Sequence, residues 1–99
     1  MNNERLEASI TGRVQRVMFR DFTKRSARKL GLVGIVRNDV DGSVRVIAEG
    51  PRESLEKLLT NLRNGPLFSD VLHVQHAYSP ATNEYASFVI TYRNLRDRL

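Results

Sequence analysis

VGIVRNDVDGSVRVIAE, residues 33–49, decides the architecture of this chain. Two apolar runs flank the pair Asp41-Gly42, and Asp-Gly between alternating segments is a strong signal for a tight hairpin. VGIVRN (33–38) therefore reads as one strand. SVRVIAE (43–49) reads as its partner, with Val44, Val46 and Ala48 on one face.

The pattern on each side of this hairpin is helical. Downstream, Gly50-Pro51 can open a helix, because proline suits a first helical turn. Leu55, Leu58, Leu59 and Leu62 then follow the i, i+3, i+4, i+7 spacing of an amphipathic helix, which Gly65-Pro66 ends. Upstream, a helix carries Phe22, Ala27 and Leu30 on one side and Lys24, Arg25, Arg28 and Lys29 elsewhere, with Gly31 as its stop. Further out, LEASITGRV (6–14) alternates, with Leu6, Ala8, Ile10 and Val14 on one face. DVLHVQHAY (70–78) and EYASFVITY (84–92) read as two more strands, the second lined by Ala86, Phe88, Ile90 and Tyr92. RNLRDRL (93–99) is a short basic tail, helical or frayed.

The order is β-α-β-β-α-β with an extra C-terminal strand. It predicts an α+β sandwich of the ferredoxin-like type, two helices covering one face of an antiparallel sheet. The 99 residues are expected to form a single domain, with a core over about 6–92. The chain holds 16 Lys and Arg against 11 Asp and Glu, a net charge of +5 that favours anionic ligands. It has no cysteine, which excludes disulfides, thiolate catalysis and cysteine-bound zinc. MNNERLEASI has no apolar signal core and no run approaches membrane-spanning length, so a cytoplasmic protein without membrane contact is expected. RNA-binding sheets of this shape stack bases on central-strand aromatics. LEASITGRV and SVRVIAE carry none, so nucleic acid is not the expected partner.

GRVQRVMFR (12–20) joins the first strand to the first helix and gathers three arginines without a carboxylate. Helix N-termini leave backbone N–H groups unpaired, and a loop curling there can surround an anion. Arg20 could fork onto two phosphate oxygens; by spacing alone it is equally a solvated surface arginine. Asn38 could orient a water, and it also fits a natural turn residue before Asp-x-Asp-Gly. His73 and His76, three apart on a strand, face opposite sides and make no close metal pair. Asp39 and Asp41 fail the spacing of a calcium loop. No Ser-His-Asp order, phosphate-loop motif or carboxylate pair for acid-base work is evident. Any substrate would therefore be intrinsically labile, so that positioning and charge suffice.

GRVQRVMFR resembles the acylphosphatase signature Gly-x-Val-Gln-Gly-Val-x-Phe-Arg, and GIVRN (34–38) resembles that family's second motif. LGLVG (30–34), DGSV (41–44), EGP (49–51) and NGP (64–66) resemble its punctuation in the same order. The resemblance covers about 6–92 and implies a ferredoxin-like fold. It further implies metal-independent hydrolysis, without a cofactor, of the carboxyl-phosphate bond of small acyl phosphates. Inorganic phosphate is a further expected ligand, and a monomer is the expected working unit. Arg20 matches the family's phosphate-binding arginine, and Asn38 the asparagine that positions the attacking water. The backbone of Gln15, Arg16, Val17, Met18 and Phe19, with Arg20, matches the phosphate cradle, and the water's proton can pass to the substrate phosphate itself. The family usually has glycine where this chain has Arg16. A positive φ there would strain a non-glycine residue, so weakened or absent activity is expected, the latter leaving a phosphate-binding module of the same fold. Ile35 replaces a common aromatic and keeps the strand apolar.

Overall fold

The computed structural model describes residues 2–98; Met1 and Leu99, at the ends of the expected domain and tail, lie outside the described residues. The elements are β1 (Glu4–Arg13), α1 (Phe19–Lys29), β2 (Val33–Asn38), β3 (Val44–Gly50), α2 (Arg52–Asn64), β4 (Asp70–Pro80) and β5 (Phe88–Ile90), followed by a 3₁₀ turn over Leu95–Arg98. The five-stranded sheet has the order β4-β1-β3-β2-β5. β1 lies between β3 and β4, antiparallel to both, and β2 pairs antiparallel with β3 across the expected hairpin.

The fifth strand corrects the all-antiparallel expectation. β5 runs parallel to β2, with Gly34 opposite Phe88. The chain reverses once after β4, and β4 itself runs opposite to β2, so a strand added beyond β2 must run alongside it. β5 is also shorter than the alternation over 84–92 implies, spanning Phe88–Ile90 alone.

One face of the sheet makes the core. Leu6, Ala8, Ile10, Val36, Val44, Val46 and Ala48 meet Leu55, Leu58, Leu59 and Leu62 of α2, and Phe19 and Ala27 of α1. The α2 stripe is the one its spacing predicts. The α1 stripe is displaced: Phe19, Thr23 and Ala27 are buried, while Phe22 and Leu30 are half-buried. Thr23 is tolerated there because its hydroxyl donates to the Phe19 carbonyl at 2.9 Å, so no polar atom is stranded. On the opposite sheet face Arg45 and Arg5 converge on Glu7, at 2.7 and 3.4 Å. Among the described residues, no helix is long and apolar enough to cross a membrane.

Where β1 ends, its register against β4 shifts between Thr11 and Gly12. Gly12 has φ 122°, and a Cβ there would collide with the Asp70 carbonyl. Only glycine permits so close an approach, and the resulting bulge turns the chain toward α1.

At the far end of β3, Glu49 is buried and holds the β4–β5 connection. Its carboxylate accepts from the Thr82 and Asn83 N–H groups, both at 2.9 Å, and from the Thr82 hydroxyl, with Arg5 at 3.4 Å. Burial pushes this carboxyl up, but the two N–H donors, the hydroxyl and Arg5 outweigh it and hold Glu49 below its ordinary range. Glu49→Ala should cost about 2–3 kcal/mol of stability, since it strands several donors at once. Thermal melts at neutral pH would measure the loss. The melts should also show increased exchange of the Thr82 and Asn83 amides when followed by hydrogen exchange.

Candidate active site

The loop between β1 and α1 is built from left-handed residues. Arg16 has φ 63°, and Met18, the residue before the helix, has φ 63° and ψ 24°. Isolated left-handed residues among right-handed ones fold successive N–H groups into a concave nest, and the helix terminus adds its partial positive charge. No side chain caps α1. Among the described residues, no backbone N–H from Gln15 to Asp21 donates to a protein acceptor.

Several contacts fix this loop. Gln15 Nε2 donates to the carbonyls of Asp39 (2.8 Å) and Ser43 (2.9 Å), tying the loop to the β2–β3 hairpin. The hairpin is in turn held by Asp41, whose Oδ1 accepts from the Ser43 N–H at 2.9 Å and its hydroxyl at 2.6 Å. The ring of Phe19 is buried in the core.

Arg20 and Asn38 meet beside the loop, joined by a residue outside the sequence expectation. Asp97, in the 3₁₀ turn, has a side chain only 2% exposed. Its backbone carbonyl accepts from Arg20 Nη2 at 2.6 Å, and its Oδ2 lies 3.1 Å from Arg20 Nη1. Its Oδ1 accepts from Asn38 Nδ2 at 3.4 Å. The Arg93 N–H donates to Oδ2 at 2.9 Å. The Arg20 guanidinium lies 5.0 Å from the Tyr92 ring centroid, and Arg98 lies 4.8 Å from the same ring. Burial pushes the Asp97 carboxyl up, but the Arg93 N–H and the cations of Arg20 and Arg93 hold it below the ordinary carboxylate range.

Two buried polar atoms in this cluster lack a hydrogen bond: Arg20 Nη1 and Asn38 Oδ1. The 3.1 Å approach of Nη1 to Asp97 is an ionic contact without hydrogen-bond alignment. One orphan is a donor and the other an acceptor, and buried groups of this kind normally have partners. Their residues, with Arg16, line two cavities. One of about 180 Å³ also holds Val14, Met18, Phe19, Asp21, Ile90, Tyr92 and Arg98. The other, of about 280 Å³, also holds Gln15, Arg93, Asn94, Arg96 and Asp97.

The structure thus brings together Arg16, Met18, Phe19, Arg20 and Asn38, with Gln15 as a strut. The Val17 side chain faces away, toward a groove on the other side of the loop. Asp97 was concealed by its surroundings: it is one acid among the arginines of RNLRDRL, which read as solvated charge.

Unpaired loop N–H groups, a guanidinium and an orphaned amide oxygen beside these two cavities make an α+β protein with a site suited to an anion. The acylphosphatase family pattern matches residues 6–90. The chain is similar to an acylphosphatase of Salinibacter ruber, 47% identical over 86% of this chain and 90% of that one. It is similar also to one of Nitratidesulfovibrio vulgaris, 52% identical over 74% of this chain and 73% of that one. The crystal structure of the Bacillus subtilis acylphosphatase superposes with a TM-score of 0.87 at 35% identity, over 90% of this chain and 99% of that one. The chain belongs to the acylphosphatase family.

Because Asp97 has a depressed folded-state pKa, its stabilisation is complete above the unfolded carboxylate range, about pH 4, and is lost as pH falls through the folded value. Asp97→Ala should therefore melt below the parent at pH 7. The gap should close progressively below about pH 4, and paired melts across this range measure it.

Proposed function

We propose that this chain hydrolyses the carboxyl-phosphate bond of small acyl phosphates at the Arg20–Asn38 site. The observation that carries the reading is the pair of buried orphans of opposite sense beside the unpaired N–H groups of the 15–21 loop. A phosphate would take donors from the loop and from Arg20 Nη1, and a water would donate to Asn38 Oδ1. The water oxygen forms a bond to phosphorus while the bond from phosphorus to the acyl oxygen breaks. The electron pair leaves on the carboxylate, and the water's proton passes to a phosphate oxygen. Arg20 and the loop stabilise charge on the phosphoryl oxygens from positions fixed before the reaction, which limits reorganisation. Asp97 and Tyr92 hold the guanidinium in register. This sequence invokes no metal and no cofactor. The central strands LEASITGRV and SVRVIAE offer no aromatic for base stacking, which supports action on a small molecule rather than on nucleic acid. The cysteine-free composition supports a cytoplasmic setting.

Arg16 adds a cost to the same site. Its φ of 63° strains a residue bearing a Cβ by about 1–2 kcal/mol, which opposes the cradle conformation and favours weak turnover. A phosphate-binding module without turnover is the second reading, and this strained position favours it.

Arg20→Ala should lower benzoyl phosphate hydrolysis by at least about 100-fold and weaken inhibition by inorganic phosphate. Near-normal turnover would remove Arg20 from the site. Asn38→Ala should lower kcat while leaving phosphate inhibition almost unchanged, the mark of an interaction made chiefly in the transition state. A turn-residue role would instead lower the melting temperature with kcat per folded molecule intact.

Arg16→Gly relieves the backbone strain and should raise kcat/KM, by up to about tenfold, and tighten phosphate binding. A slower variant at both low and high salt would make Arg16 a positive contributor to the site.

A further inference from the structure

The loop that forms the cradle has a second side. There a groove of about 640 Å³ is lined by Val17, Met18, Phe22, Leu67 and Phe68, with Arg16 and Arg25 at its edges. Its apolar walls are unusually open to water: Met18 is 68% exposed, Leu67 79% and Phe68 78%. Single exposed apolar residues are ordinary, but a contiguous set beside a polar cavity marks a binding surface. Phe68 has φ 72°, a left-handed conformation unfavourable to an aromatic residue, so its ring is presented here at an energetic cost. The segment carrying it follows Gly65, whose φ of 67° ends α2 and turns the chain back toward α1.

The groove adjoins the anion cavity at two shared residues. Arg16 and Met18 line both, whereas Asn38 lines the cavity alone. In phosphoryl transfer the attacking and leaving oxygens lie roughly in line through phosphorus. A water held at Asn38 Oδ1 therefore sends the leaving carboxylate away from Asn38, across the rim that Arg16 and Met18 share.

We propose that this groove is the subsite for the acyl group, and that it selects acyl phosphates with an extended alkyl or aryl acyl chain over acetyl phosphate. The proposal rests on the acyl phosphate reading above. The substrate's phosphate occupies the cradle, the carbonyl crosses the Arg16–Met18 rim, and the apolar chain lies against Val17, Phe22, Leu67 and Phe68. Flexible Met18 at the rim can adapt to chains of different shape.

Alkylphosphonates test the subsite without requiring turnover. By calorimetric titration of the full chain, hexylphosphonate should bind about tenfold tighter than methylphosphonate, given the gain expected from partly burying each added methylene. The double variant Leu67→Ser with Phe68→Asn removes two exposed apolar side chains, and asparagine tolerates the left-handed backbone. It should bring the two phosphonates to within about twofold while leaving methylphosphonate affinity unchanged. In turnover, the same variant should lower kcat/KM for hexanoyl phosphate and spare acetyl phosphate. Equal binding of both phosphonates by the parent, or a chain-length preference that survives in the variant, overturns the subsite. Chain-length-dependent binding without hydrolysis of any acyl phosphate keeps the subsite and overturns the hydrolase reading. Binding of neither phosphonate overturns both.

Discussion

The bend over residues 14–18 is the constraint on which the site depends. Left-handed residues without glycine are unstable alone, so the surrounding fold must impose them. It does so from three directions. Gln15 is tied to two carbonyls of the β2–β3 hairpin, Phe19 is sunk in the core, and the 3₁₀ turn holds Arg20. The backbone N–H groups between these anchors are then left facing water or ligand rather than protein acceptors. Rigid supports for an uncapped helix start keep a polar site open, while the other buried side-chain polar atoms among the described residues have hydrogen-bond partners.

The architecture was largely legible because its signals are local. Asp41-Gly42 marks a hairpin that the structure contains, and the leucine spacing of α2 gives the stripe that is buried. β5 was misread in direction and length because direction depends on where the preceding strand lies in the sheet, which alternation does not encode. The α1 face was misplaced for a different reason. Thr23 scores as polar, but its hydroxyl is satisfied within the helix, so it can occupy the buried stripe that Phe22 vacates.

At the site, the motif placed Arg20 and Asn38, and the structure brings them to the same cavities. Position 16 was also readable: the departure from glycine predicted strain if φ were positive, and φ is positive. Asp97 was not readable, because nothing within RNLRDRL distinguishes a buried carboxylate from a solvated one. Its burial is decided by Arg20, Asn38 and Arg93, of which only the last is near in sequence. The groove beyond the loop is similar: Met18, Leu67 and Phe68 belong to segments that meet only in the fold.

The contact between Arg20 and Asp97 spans 77 positions, and that between Asn38 and Asp97 spans 59. Gln15 reaches its hairpin partners across far shorter separations, of 24 and 28 positions. During synthesis the bend can therefore acquire its hairpin support while the ribosome is still making the second half of the sheet. The guanidinium acquires its anchor only after residue 97 has left the exit tunnel. A fixed Arg20 therefore requires the 3₁₀ turn over Leu95–Arg98, the element most distant from it in sequence.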